Sequence, residues 1–92
     1  MCDTSERAIE IIPLAHKKMM QRGIAQSWIK EALMHPDQVV AGHGERWVAH
    51  RRMMMVDKER LLRVVFEETG NTLVVVTAYL TSDIGRYWRD SP

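Results

Sequence analysis

The chain has 92 residues, a hydrophobic share of 46% and a formal net charge of +1. This length favours one domain with one small core, which excludes a deep enclosed cavity, so any site is expected on a shallow surface. The hydrophobic share argues against wholesale disorder, and the small net charge neither requires nor excludes nucleic acid, because local clustering of basic residues matters more than their sum.

The cysteine content and the hydropathy pattern favour a cytoplasmic protein. Cys2 is the only cysteine, which rules out an intramolecular disulfide and fits a reducing compartment. No apolar run approaches the ~20 residues of a membrane span, and the first residues, MCDTSERAIE, lack the apolar stretch of a signal peptide. We therefore expect no membrane among the partners, and a flexible stretch at residues 1–7.

Two helices are predicted in the first third of the chain. Residues 14–22 are strong helix formers between Pro13 and Gly23, which are typical of a helix entrance and of the position after its end. A second helix is predicted at residues 26–34, and it ends at His35-Pro36 because the residue before a proline avoids the helical conformation. One face of this helix carries Trp28, Ile29, Ala32 and Leu33.

The rest of the chain is predicted to form an antiparallel meander over residues 38–82. Its four strands are residues 38–41, 46–55, 61–68 and 72–82, and the β-branched run LVVVT favours a central position for the last. The predicted fold is therefore α+β, with two N-terminal helices on one face of a mostly antiparallel four-stranded sheet.

Two segments beside this frame carry weaker signals. The short β-branched run 8–12 (AIEII) fits either an edge strand or an extra turn of helix, within a helical layer that spans residues 8–37. Residues 83–92 are predicted to form a C-terminal turn that packs Trp88 back onto the domain.

Strand alternation assigns the side chains of the second and third strands to two faces. A two-residue loop at Asp57-Lys58 places Arg52 opposite Arg63 and His50 opposite Val65. The other face is more apolar and is expected to receive the helices. Its members are Trp47, Ala49, Arg51, Met53, Met55, Leu62, Val64 and Phe66. Because two facing arginines repel, the first face is predicted to be a positive patch open to an anion.

The last strand completes this open face if the loop before it has three residues. Thr69-Gly70-Asn71 fits such a loop, because its residues tolerate positive φ. The assignment sends Val74, Val76, Ala78 and Leu80 to the core. It sends Leu73, Val75, Thr77, Tyr79 and Thr81 to the open face. A loop of two or four residues reverses the assignment. If the loop has three residues, the side chains of Arg52, Arg63, His50 and Tyr79 lie together on the open face.

Several motifs resemble a family of small bacterial domains of unknown function, usually placed beside RelE/ParE- and BrnT-like toxins. They are LAHKKMMQRGI, a helix ending in HP, D-x-V-V-x-G, LLRVVFEE and LVVVTAYLTS…RYW, and they extend over residues 10–88. The resemblance implies a RelE-like α+β fold. RelE-type toxins cleave messenger RNA with the exposed sheet face, often on the ribosome, and a small antitoxin covers that face. RNA, including ribosome-bound mRNA, and an antitoxin are therefore the implied partners, and a homodimer is a further expectation.

One position departs from the family pattern, whose first helix usually begins His-Ala-x-x-Arg-Met-x-x-Arg-Gly-Ile. Leu14 stands in place of the histidine and Lys18 in place of the first arginine, whereas Met19 and the run Arg22–Ile24 match. His16 lies about 200° further around the helix and does not replace the missing side chain. Catalysis weakened by the loss of this histidine is therefore an expectation.

Metal-independent RNA cleavage needs activation of a 2′-hydroxyl, charge stabilisation at the phosphorus and protonation of the leaving oxygen. The predicted catalytic residues are His50, Arg63 and Tyr79: a group that titrates near neutral pH, a phosphate ligand, and a phenol that donates a proton or stacks on a base. The predicted RNA-binding residues are Arg52, Thr81, Arg86 and Tyr87.

Structural roles remain open for the same residues. His50 fits an ordinary strand histidine, Arg52 and Arg63 can pair with Glu67 or with nearby acids on a solvated face, and Tyr79 can be a half-buried sheet residue. Trp28, Trp47 and the methionines 53–55 fit core or interface packing. The alternative function is a non-catalytic protein-interaction module that uses the exposed sheet face or the Met-rich strand.

No metal and no other cofactor is expected. The histidines are scattered at positions 16, 35, 43 and 50 without metal-ligand spacing, and Cys2 has no identifiable basic partner to activate it. The turn GHGE lacks the lysine and the following helix of a phosphate-binding loop.

Overall fold

A computed structural model describes residues 7–89, which form a five-stranded mixed sheet with helices on both faces. The elements in chain order are β1 (Ala8–Ile11), α1 (Pro13–Gln21), α2 (Gln26–Met34), β2 (Gln38–Ala41), β3 (Trp47–Met54), β4 (Glu59–Thr69), β5 (Thr72–Thr81) and α3 (Ile84–Tyr87). The strand order is β1-β5-β4-β3-β2, so β2 to β5 form a meander and β1 is added at its far edge.

The prediction of a four-stranded sheet is wrong, because the sheet has a fifth strand. This strand, β1, lies in the run 8–12, for which the sequence allowed either an edge strand or a turn of helix. It pairs parallel to β5, with Ala8 opposite Thr72 and Ile11 opposite Val75. Parallel pairing between segments so far apart has no turn that marks it in the sequence. β2 to β5 are antiparallel, as predicted.

The core lies between the sheet and the helices α1 and α2. Its buried side chains come from both layers and include Ala15, Met19, Ile29, Ala32, Leu62, Val64, Phe66 and Ala78. Trp28 packs against this core and is half-buried. This face of the sheet is called the helix face below. None of the helices within residues 7–89 is long and apolar enough to cross a membrane.

The motif RGI ends α1 and ties it to the sheet. Gly23 has φ +68, its N–H bonds the carbonyl of Met20 at 3.3 Å, and the N–H of Ile24 bonds that of Met19 at 2.9 Å. These bonds form a Schellman end, with Ile24 and Met19 both buried. Arg22 Nη1 donates to the carbonyl oxygen of Ala78 at 2.8 Å, a bond that anchors the end of α1 to β5.

The pairing of β3 with β4 differs from the prediction by two residues. The N–H of Met55 bonds the carbonyl of Lys58 at 2.9 Å, so the turn is centred on Val56-Asp57, one residue earlier than predicted. His50 therefore lies opposite Arg63, and Arg52 opposite Leu61. Because side chains alternate with a period of two, a shift of two residues gives each residue of β3 a new partner on β4 but leaves its side chain on the predicted face of the sheet.

The loop before β5 has two residues, not three. Thr69 pairs with Thr72 and Gly70 has φ +60. The first half of β5 is therefore reversed, and Leu73 and Val75 are buried on the helix face instead of the open face. The register then shifts at Val65/Phe66, which leaves Val76 as an extra residue and returns Tyr79 to the predicted face.

The chain termini bear on two predictions. Cys2 and residues 1–6 of the stretch predicted to be flexible lie outside the described residues, as do residues 90–92 of the C-terminal turn. Arg7, the last residue of that stretch, pairs with Glu68 at 2.5 Å. The predicted helical turn is observed as α3, and Trp88 packs onto the sheet.

Candidate functional site

Four polar side chains form one row across the face of the sheet opposite α1 and α2. The register places Gln38 opposite His50, His50 opposite Arg63, and Arg63 opposite Tyr79. Opposite residues on neighbouring strands project to the same side, so β2, β3, β4 and β5 each contribute one member. We call Gln38, His50, Arg63 and Tyr79 the Arg63 cluster. All three predicted catalytic residues lie in it.

A chain of hydrogen bonds connects the Arg63 cluster. Arg63 Nε donates to His50 Nε2 at 3.0 Å, and Arg63 Nη1 donates to the Tyr79 hydroxyl. His50 Nδ1 lies 3.0 Å from Gln38 Oε1. An amide oxygen only accepts, so the proton of the imidazole is on Nδ1. His50 is thus a neutral ring that receives from the arginine and donates to the glutamine.

His50 is buried, which sets its charge. Its side chain has no exposed surface, and burial together with the positive charges of Arg63 and Arg89 lowers its pKa from 6.5 to about 4. Near neutral pH the ring is uncharged and both nitrogens have partners. His50 therefore holds Arg63 in place, and it has no free nitrogen at the surface with which to exchange a proton with a ligand.

The C-terminal segment, residues 83–89, lies over the Arg63 cluster. The Tyr87 ring is 4.0 Å from Cζ of Arg63, and the Trp88 ring stacks on His50 with centroids 6.4 Å apart and planes inclined by 24°. Arg86 is also close to Tyr87, with Cζ 5.3 Å from the ring. Arginine and aromatic groups are therefore in contact on this face.

The remaining predicted RNA-binding residues surround the cluster. Arg52 is exposed, with Cζ 4.7 Å from the Trp88 ring and Nη2 3.0 Å from Glu59 Oε1. Thr81 follows Tyr79 on the same face of β5, and its hydroxyl accepts from the N–H of Asp83 at 3.0 Å. Arg86 is exposed and Tyr87 is half-buried.

The charge of this face is positive. Arg52 pairs with the nearby acid Glu59 at 3.0 Å, as one alternative allowed. Glu67 pairs with Arg46 at 3.0 Å and not with Arg52 or Arg63. Within residues 7–89, neither Arg63 nor Arg86 forms an ion pair. The bonds of Arg63 to other side chains use Nε and Nη1, which leaves Nη2 available to an anion. The hydroxyl of Tyr79, which accepts from Arg63, keeps its own proton to donate.

Sequence reasoning missed Gln38 and, although it predicted that Trp88 packs back onto the domain, it missed the stacking of Trp88 on His50. Gln38 binds the backbone of Arg89 on both sides, since Nε2 donates to the carbonyl at 2.7 Å and Oε1 accepts from the N–H at 2.9 Å. Extending the face assignment from His50 to the neighbouring strand β2 would have placed Gln38 in the row. The stacking of Trp88 on His50 depends on tertiary packing and leaves no pattern in the sequence.

Position 14, where the similar family has a histidine, is remote from this site. Leu14 lies on α1 and is 58% exposed, and α1 packs on the helix face of the sheet. A histidine at position 14 would therefore lie on the other side of the sheet from Arg63. Across residues 7–89, no three His, Cys, Asp or Glu side chains are grouped to hold a metal ion.

Comparison with known proteins gives one match. Residues 15–80 match the family described as Domain of unknown function (DUF4258). The match contains Gln38, His50, Arg63 and Tyr79 and ends before the C-terminal segment. Comparison with curated proteins and with solved structures finds no significant match.

Proposed function

The chain belongs to the DUF4258 family, and we propose that it acts on RNA through the Arg63 cluster, as a metal-independent endoribonuclease. The observation that carries the proposal is the guanidinium of Arg63. His50 and Tyr79 hold it by two nitrogens, and the third is left for a phosphate oxygen. A preorganised arginine of this kind is the group that RNA-binding surfaces direct at phosphate.

Each member of the cluster has a role in this proposal. Arg63 binds the scissile phosphate and stabilises the charge that develops there. The ribose 2′-oxygen attacks the phosphorus and loses its proton to solvent water, the bond from phosphorus to the 5′-oxygen breaks, and Tyr79, whose hydroxyl touches the same guanidinium, donates its proton to that leaving oxygen. His50 is a positioning residue, because its nitrogens are occupied by Arg63 and Gln38. Arg52 and Arg86 extend the positive surface along the RNA backbone, and Thr81 lies beside Tyr79 on the same strand.

The resemblance of the sequence to domains placed beside RelE-type toxins adds the substrate class. If the resemblance extends to function, the substrate is messenger RNA, ribosome-bound or free, and an antitoxin covers the sheet face. The proposal does not need the histidine that Leu14 replaces, because position 14 lies on the opposite side of the sheet from Arg63.

Purified protein mixed with labelled single-stranded RNA in the presence of a chelator tests the proposal. Arg63→Ala is expected to weaken both binding and cleavage. Tyr79→Phe, which removes one hydroxyl, is expected to lower the cleavage rate about 10²–10⁴-fold and to leave binding nearly unchanged. The matched control is Lys30→Ala, which removes one charge from the exposed face of α2 and is expected to change neither. Cleavage that survives both cluster variants would reject the catalytic assignment.

The exposed apolar tip of the β3–β4 hairpin favours the second candidate, a non-catalytic protein-interaction module. Met54 is 77% exposed and Val56 is 107% exposed, although neighbouring Met53 and Met55 are half-buried. A second copy of the chain or another protein could cover this tip. Light scattering across a concentration series tests the homodimer, and Met54→Lys should shift the equilibrium to monomer. A wild type that stays monomeric would exclude it.

A further inference from the structure

We propose that the C-terminal segment, residues 83–89, is a reversible cover of the Arg63 cluster, which a single strand of RNA displaces by stacking its bases where Tyr87 and Trp88 stack now. This inference rests on the proposed RNA function. It concerns how the site is opened, and residues beyond the part of the chain that matches the family.

The segment occupies the groups to which RNA is proposed to bind. The ring of Tyr87 lies 4.0 Å from Cζ of Arg63, the position that a stacked base would take. Trp88 covers His50 and also lies 4.7 Å from Cζ of Arg52.

The segment is held to the sheet by few interactions. α3 has four residues and none of them is buried. Among residues 7–89, none of Asp83, Arg86 and Arg89 is in an ion pair. The hydrogen bonds from the sheet are those of Gln38 to the backbone of Arg89 and of Thr81 to the N–H of Asp83. Segments with so few buried contacts open independently of the rest of a protein.

When RNA displaces the C-terminal segment, stacked nucleobases replace the stacked rings of Tyr87 and Trp88. A nucleobase presents a π face to Arg63 and Arg52 as Tyr87 and Trp88 do. The strand adds what the protein rings lack, a phosphate for Arg63 Nη2. A protein ligand without stacking groups would lose the aromatic contacts and recover none, so single-stranded RNA is the occupant that the chemistry favours.

Gln38 connects the cover to the site. Its Oε1 accepts from both His50 Nδ1 and the N–H of Arg89. When the segment leaves, Gln38 keeps its bond to His50, so the ring retains the tautomer that receives Arg63. The site therefore stays organised while it is uncovered.

The first experiment needs no RNA and uses diethylpyrocarbonate, which modifies neutral imidazole. In an Arg63→Ala background, which frees His50 Nε2 for the reagent, Trp88→Ala is expected to speed modification of His50 at least about tenfold, because the ring that shields it is gone. The exposed His16, His35 and His43 are internal standards, and Trp47→Ala, at a tryptophan on the helix face, is the matched variant. An unchanged rate at His50 would overturn the cover. Urea unfolding of each variant confirms that it is folded.

The second experiment measures binding of a short oligouridylate by the full chain. Trp88→Ala is expected to bind about threefold or more tightly, because the competing closed state is removed, and RNA is expected to speed amide exchange at residues 86–89 of the wild type. Equal or weaker binding by Trp88→Ala overturns displacement and makes Trp88 part of the binding surface. If neither protein binds, the RNA function fails, while the first experiment separately decides whether the segment shields His50.

Discussion

At the scale of single residues, the structure gives His50 a different role from the one that the sequence predicted. The sequence predicted an acid or base near neutral pH, because histidine ordinarily titrates there. Its strand and its face were predicted correctly, and its row contains Arg63 and Tyr79 as expected. Its burial could not be predicted, because it depends on Trp88, a residue far along the chain that stacks on the ring. A buried ring beside an arginine is a neutral acceptor.

The pH dependence of stability tests this description of His50. The pKa is about 4 in the folded protein against 6.5 ordinarily, so below pH 6.5 the unfolded chain takes up a proton that the folded chain refuses. The contribution of neutral His50 to the free energy of unfolding is complete above the pKa of the unfolded chain and is lost as pH falls towards 4. Between about pH 7 and about pH 4.5 we expect the free energy of unfolding to fall by about 2 kcal/mol more in the wild type than in His50→Gln.

Urea unfolding at both pH values gives this difference, and a titration of the histidine ring signals by NMR gives the pKa itself. The variant is the control for carboxylates that titrate in the same range. If wild type and His50→Gln lose equal stability between the two pH values, or if the ring titrates near 6.5, the description of His50 as a buried, neutral histidine is wrong.

At the scale of the elements, β5 reaches its predicted face by two deviations that cancel. The loop at Gly70-Asn71 is one residue shorter than predicted, which reverses Leu73 and Val75. The extra residue Val76 reverses the alternation again, so Tyr79 faces Arg63. A bulge is set by the fit of two strands and has no sequence signal in a run such as LVVVTA. The bounds of the helices were predicted well, because the signals at helix ends are local, whereas the centre of the β3–β4 turn and the length of the β4–β5 loop were each wrong by one residue.

Two one-residue deletions in β5 test the role of Val76. Without Val76, Val75 and Thr77 become neighbours opposite Phe66 and Val65, so every other pair keeps its partner. We expect this variant to fold, with a loss of no more than about 2 kcal/mol from the altered bend.

Deletion of Ala78 is the matched comparison, because it moves the phenol of Tyr79 to a fully buried position on the helix face. We expect that variant to unfold or to lose cooperative unfolding, since it inserts a large polar side chain into a packed core. Amide NMR spectra and urea titrations measure both. Equal tolerance of the two deletions would contradict the role assigned to Val76.

At the scale of the whole molecule, the two faces of the sheet differ in how they are covered. The helix face carries the core, in which Ile29, Val64 and Val75 have no exposed surface. The other face is covered in part by the four-residue helix α3 and the residues around it. The sequence predicted the helical layer because apolar periodicity marks it. It left β1 open between an edge strand and a helical turn, and it did not predict the stacking of Trp88 on the second face, because long-range pairing and packing decide both.

Native-state hydrogen exchange is expected to separate the two layers. Ile29→Ala should lower the free energy of unfolding by about 2–5 kcal/mol, because it leaves a cavity in the core. The amide of Val64, in the central strand β4, exchanges only when the whole domain unfolds, so its rate should rise by the corresponding factor. The amides of Trp88 and Arg89 are held by Ile84 and Gln38, and they should exchange through local opening at a rate that Ile29→Ala leaves nearly unchanged. Equal acceleration at Val64 and Trp88 would mean that the C-terminal segment leaves the sheet only when the core unfolds, which is incompatible with a cover that opens in the native protein.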